Sequence, residues 1–149
     1  MRRKVIAGNW KMNMDLHQSQ KLVSEILNGL GKDNKTEVIV CPPFTSLSEV
    51  NSLLKGTQIK LGAQNMYYEA NGAFTGEVSV DMLKSVGCEY VILGHSERRV
   101  IFNEPDELIN QKIKAALGKG LKPIFCIGEL LEQREKGETM QVVSRQVEK

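Results

Sequence analysis

The chain has few cysteines, no long apolar run, no dominant charge and no glycine-rich phosphate loop. Each shortage removes a class of function. Three cysteines occur, at 41, 88 and 126. Their number is odd and their spacings are wide. Neither Cys-x-x-Cys nor a set of paired histidines accompanies them, which argues against a disulfide framework and a zinc site. They read as small buried hydrophobes in a reduced cytosol. No stretch approaches the ~18 apolar residues that a bilayer crossing needs. Arg2, Arg3 and Lys4 imitate a signal n-region, but the apolar stretch behind them stops at Asn9. That is too short for an h-region, so a soluble cytoplasmic protein without a targeting segment is expected. Twenty Lys and Arg against 18 Asp and Glu leave a net charge of +2, with no pull toward nucleic acid or a membrane surface. His-Glu-x-x-His and Asp-rich loops are absent too, so neither a metal nor a cofactor is expected.

What the chain does have is 41% hydrophobic residues, enough for a core, within the length of one ordinary domain, residues 1–149. The apolar residues gather into five short runs, Val5–Gly8, Val38–Cys41, Ile59–Ala63, Tyr90–Gly94 and Ile124–Ile127. Continuous apolar runs are the mark of parallel strands buried on both faces. Amphipathic stretches separate them. Asp15 is placed to cap the first, which carries Leu16, Leu22, Val23, Ile26, Leu27 and Leu30. The second opens with the capping-box pattern Ser46-Leu47-Ser48-Glu49. The third spans Ser79 to Val86, the fourth opens at Pro105-Asp106, and the fifth carries Met140, Val143 and Val147. Strand alternating with helix predicts an α/β fold with a parallel sheet. A doubly wound sheet calls for a glycine-rich loop after the first strand, whereas Gly8-Asn9-Trp10-Lys11-Met12-Asn13 has one glycine and no Walker motif follows. A (βα)8 barrel, with its site spread over many strand ends, fits better.

Those strand ends carry the candidates. His95 follows the fourth run and precedes Ser96-Glu97-Arg98-Arg99, the opening of a helical turn. Backbone N–H groups at such a start favour a neutral imidazole that donates to a substrate oxygen. Lys11 and Asn9 follow the first run and would meet an anion in the same mouth. The plainer alternatives are a structural histidine and a solvated surface lysine. Ser96 lacks the second glycine of Gly-x-Ser-x-Gly, and His17, the other histidine, lies on the first helix. A serine triad is therefore disfavoured. Cys126 has no obvious histidine to activate it, and Glu97 and Glu129 read as ion-pair partners. Residues 64–79 form a long connection holding Tyr67, Tyr68 and Phe74. They read as a partner surface, or as a loop packed on its own domain.

Four motifs, Gly8–Asn13, Gly72-Ala73-Phe74-Thr75-Gly76-Glu77, Leu93-Gly94-His95-Ser96-Glu97-Arg98-Arg99 and Cys126-Ile127-Gly128-Glu129, resemble the triosephosphate isomerase family in order and spacing across the whole chain. The resemblance implies a (βα)8 TIM barrel, without cofactor, that interconverts dihydroxyacetone phosphate and glyceraldehyde 3-phosphate through an enediolate. It implies a neutral electrophile at His95, positive charge for substrate at Lys11, a substrate contact at Asn9, and a positioning role for Glu97 on Lys11. Ser96 and Cys126 take supporting places. Thr75, Phe74 and Arg98 become contacts of a homodimer formed through residues 64–79, with Arg98 and Glu104 tying that region down.

The family's chains run to roughly 250 residues. Five strands cannot close an eight-stranded barrel. The expectation is a chain truncated in the helix after strand five, supplying roughly the first five βα units and no base glutamate, and inactive alone. The alternative is a half-barrel that serves as an assembly or binding module without catalysis.

Overall fold

Valine, isoleucine and leucine in short blocks favour extended chain whose two faces can both be covered. A computed structural model describes residues 4–31 and 35–149, so Arg2 and Arg3 lie outside the described residues. The strands are β1 (Lys4–Asn9), β2 (Thr36–Cys41), β3 (Lys60–Ala63), β4 (Tyr90–Leu93) and β5 (Lys122–Phe125). All are parallel, and their order in the sheet is their order in the chain. The sheet curls into half a barrel, as the first five βα units of a TIM barrel do.

The helices are α1 (Leu16–Gly29), α2 (Leu47–Leu54), α3 (Val80–Ser85), α4 (Ser96–Val100), α5 (Asp106–Gly118), α6 (Leu131–Glu135) and α7 (Thr139–Glu148). Paired residues share a face of the sheet, so the register sorts the strands into two layers. Val40, Leu61, Val91 and Leu93 face the helices and join Val23, Val50 and Leu83 in the main core. Ile39, Cys41 and Ile92 face inward, with Tyr90, Ile124 and Cys126 packed against them. Gly62 is required on that inner face: a Cβ there would stand 2.7 Å from the Cys41 sulfur.

Local signals mostly act as expected. Asp15 and Gln18 form a reciprocal capping box at the start of α1. Ser79 caps α3. The Ser46 pattern does not close as a capping box. A 3-10 turn at Phe44–Ser46 precedes α2, the Ser46 hydroxyl bonds Ser19 of α1 instead, and Glu49 accepts from Gln20. Tertiary partners across the α1–α2 contact outcompete the local cap. In α7 the buried residues are Val142 and Gln146, while Met140 and Val147 are exposed. The helix is therefore rotated from the face expected of its apolar residues. The fifth strand begins two residues earlier than its apolar run and ends at Phe125. β1 and β5 are both sheet edges, and β1 leaves Val5 and Ile6 exposed. Among the described residues no helix is long and apolar enough to cross a membrane.

Candidate active site

The carboxyl ends of the five strands are linked by side chains. Lys11 follows β1 in the left-handed region, at φ 54°. That conformation is strained for a residue with a Cβ, and three bonds hold it. Its N–H donates to Asn9 Oδ1 at 3.0 Å, its carbonyl accepts from Gln64 Nε2 at 2.8 Å, and its ammonium donates to Glu97 Oε1 at 2.6 Å. Gln64 Nε2 also donates to the Cys41 carbonyl at 2.9 Å. The ends of β1, β2 and β3 are thereby joined, and Lys11 crosses to the segment after β4.

Gly94, at φ 73°, turns the chain out of β4 into His95. His95 caps the short helix α4. Its Nδ1 accepts the Glu97 N–H at 3.3 Å. An acceptor nitrogen carries no proton, so this contact fits the tautomer with its hydrogen on Nε2. Glu97 Oε2 lies 3.5 Å from the same Nδ1. The Lys11 ammonium, hydrogen-bonded to it, holds the Glu97 carboxyl below the ordinary carboxylate range, against some desolvation. Lysine, glutamate and imidazole thus stand at one mouth. A neutral N–H donor beside an ammonium can polarise a carbonyl and stabilise the oxyanion that develops on it.

Arg99 joins β4 to β5. Its Nε donates to the Gly94 carbonyl at 2.7 Å, Nη2 to the Cys126 carbonyl at 3.2 Å, and Nη1 to Asp106. A cleft of about 870 Å³ opens beside it, lined by His95, Ser96, Cys126, Glu129 and Gln146. The Gln146 amide clasps the backbone of Gly128 in both directions, at 2.8 and 3.1 Å. Glu129 Oε1 accepts from Arg134 at 2.7 Å and Thr139 at 3.1 Å. The Arg134 bond, followed by its own backbone N–H, keeps that carboxyl below its ordinary range.

Asn9, Lys11, His95, Ser96, Glu97 and Cys126 therefore meet at the strand ends. Thr75 and Phe74 sit apart on the exposed part of loop 64–79. There Tyr67 packs on Tyr68 at 4.5 Å and on Phe74 at 4.7 Å between ring centroids. The aromatics partly cover one another, and Phe74 stays 39% exposed. Arg98 faces away from His95: its Nε donates to Glu104 at 2.7 Å, and its guanidinium lies over the Phe102 ring. Among the described residues no group of three His, Cys, Asp or Glu is arranged to hold a metal.

A family model for triosephosphate isomerase matches residues 4–149. The chain belongs to the triosephosphate isomerase family. It is 54% identical over 146 residues to a triosephosphate isomerase of Thermoanaerobacter pseudethanolicus, covering 98% of this chain and 58% of that one. It is 54% identical to one of Alkaliphilus oremlandii over 147 residues, or 99% and 59% of the two chains. It is 56% identical to one of Carboxydothermus hydrogenoformans over the same shares. The chain thus spans about three-fifths of the length of the triosephosphate isomerases it matches.

Against the family motifs, sequence reasoning left three residues without a role: Gln64, Arg99 and Lys112. Gln64 was visible as the first polar residue after an apolar run. Lys112 lies on the buried stripe Ile109, Lys112 and Ala116 of α5, and a lysine at a core position is itself a signal. Arg99 carries no such mark, because its partners lie on β4, β5 and α5.

Proposed function

We propose that this chain is the amino-terminal part of a triosephosphate isomerase that interconverts dihydroxyacetone phosphate and D-glyceraldehyde 3-phosphate by proton transfer through an enediolate. The observation that carries the reading is the pairing at one mouth of an imidazole whose Nδ1 accepts the Glu97 N–H with an ammonium fixed by a carboxylate. His95 donates from Nε2 to the substrate carbonyl and remains neutral. Lys11 supplies positive charge to the phosphate and to the developing oxyanion, and Asn9 contacts substrate. Glu97 positions Lys11, with Ser96 and Cys126 in support. No cofactor takes part.

The chain by itself lacks turnover. Two carboxylates near His95 are already engaged, Glu97 by Lys11 and Glu129 by Arg134 and Thr139. Both are kept ionised by hydrogen bonds that a proton acceptor would have to give up, so neither is placed as the base. General-base catalysis supplies about 10²–10⁴ in rate, and its loss leaves little activity. The working enzyme is a cytoplasmic homodimer. Two copies meet through loop 64–79, where Thr75 and Phe74 are exposed and Arg98 braces the adjoining segment through Glu104.

A second reading is favoured by the two open sheet edges and the exposed Val5 and Ile6: a half-barrel that assembles with another polypeptide and does no chemistry itself. A coupled assay separates the two. The chain is assayed alone and after mixing with the remaining carboxyl-terminal portion of one of the relatives above. Background alone and isomerisation in the mixture, abolished by His95→Gln, is the expected result. Full activity from the chain alone would overturn the missing-base reading. A mixture that assembles yet stays inactive would favour the assembly module.

A further inference from the structure

Arg99 has no part in the proposed chemistry, yet it is the best-connected side chain near His95. Its side chain is 15% exposed. The Gly94 carbonyl that receives its Nε belongs to the peptide leading into His95, so holding that oxygen fixes the direction in which the His95 side chain leaves the backbone. The fit there is tight. A Cβ on Gly94 would lie 2.9 Å from Arg99 Nη2 and 2.9 Å from the Cys126 carbonyl. The opposite side of the guanidinium is anchored as well: Asp106 accepts from Nη1, and its other oxygen accepts from Arg145 of α7 at 3.3 Å. One planar cation thus refers the His95 peptide to the end of β5, the start of α5 and, through Asp106, α7.

We propose that Arg99 is a positioning residue for His95, holding the Gly94–His95 peptide so that the imidazole caps α4 through Nδ1 and presents Nε2–H to the mouth. The proposal rests on the reading of His95 as the electrophile. The Nδ1 bond to the Glu97 N–H is 3.3 Å long and stands at the end of a five-residue helix. A bond of that length is easily lost if the Gly94 peptide turns. Lysine cannot replace the arginine. A point charge can satisfy Asp106, but only a planar fork reaches Gly94, Cys126 and Asp106 together.

The test is imidazole 15N NMR on histidine-labelled protein, at alkaline pH where a histidine ring is neutral. The chain has two histidines, His17 and His95, so His17→Gln assigns the spectrum. In the wild type His95 should show a single form, with Nδ1 bare and Nε2 protonated. In Arg99→Lys the tautomer ratio should shift about fivefold or more toward Nδ1–H, the size expected from losing one hydrogen bond. A merely structural role, bracing β4 against β5, would lower the melting temperature without moving that ratio. Asp106→Asn loosens the guanidinium without touching β4 and should move the ratio the same way by a smaller factor. It decides the matter if Arg99→Lys does not fold. A folded variant with the wild-type His95 signature overturns the proposal and leaves the isomerase reading intact. A shifted signature together with an inactive assembled mixture sinks the isomerase reading and leaves the Arg99 coupling in place.

Discussion

Lys112 lies on the inner face of α5 with 2% of its side chain exposed, and its ammonium reaches Glu104 Oε1 at 2.6 Å and Asn65 Oδ1 at 3.0 Å. Burial pushes its pKa down and the Glu104 carboxylate opposes that. Lys112→Met keeps most of the stem and removes the charge and both bonds. Breaking a buried ion pair costs about 3–5 kcal/mol, largely because the surviving charge is stranded. Here Arg98 still neutralises Glu104 at 2.7 Å, so the expected loss is smaller, about 2–4 kcal/mol. For a domain of this size that lowers the melting temperature by roughly 5–15 °C. Urea or thermal unfolding followed by circular dichroism measures it. Glu104→Gln in the Lys112→Met background gives up the Arg98 ion pair as well, and because both cations share one carboxylate oxygen a double-mutant cycle should show losses that are less than additive. A Lys112→Met protein within ~0.5 kcal/mol of wild type, or strictly additive losses in the cycle, would refute the reasoning.

Three further outcomes are expected. Glu97 titrates below the ordinary carboxylate range because Lys11 is bonded to it. Its stabilising contribution is complete above the unfolded carboxyl value of about 4.3 and is lost as the pH falls through the folded value. Lys11→Met should therefore raise the Glu97 midpoint in a carboxyl 13C titration, and an unmoved midpoint would contradict the contact. Burial pushes the Cys41 and Cys88 thiols up to about 12, while Cys126 is only partly buried. A thiol reagent at mildly alkaline pH should modify Cys126 first and all three in denaturant; equal native rates would count against this packing. Gln146→Ala removes the two-way clasp on Gly128 and should cost about 1–3 kcal/mol. Amide exchange should speed up at Gly128, and unchanged protection there would show that the clasp is idle.

Strand placement followed from apolar runs, and the physical reason holds best for the central strands β2, β3 and β4, where most residues are buried, whereas the edge strands β1 and β5 keep the pattern without the burial. α1 followed from Asp15, whose partner Gln18 is three residues away. What the sequence concealed depends on partners distant in the chain. Ser46 carries a sound local capping signal, yet Ser19, 27 residues earlier, takes its hydroxyl. The buried face of α7 is decided by Gln146 seeking Gly128, which no hydropathy pattern records. At the site, His95, Lys11 and Glu97 were readable as types at strand ends, and the family motifs singled them out. The bond of 2.6 Å between Lys11 and Glu97 spans 86 residues, and only the fold brings them together. Arg99 escaped because its acceptors are mostly backbone carbonyls, which leave no trace in the identity of their residues.

In the sheet every strand lies beside the strand made just before it. A growing polypeptide with this order never has to hold an apolar segment in reserve for a partner still to be synthesised. Each new βα unit finds its template already in place, and loop closure is limited to one helix and two short connections. Assembly can thus run in the direction of synthesis, and the price is that the most recent strand always presents an open edge. At any stage the nascent chain has two such edges, the first and the latest. In this structure they are β1 and β5, the first and the last strand of the sheet.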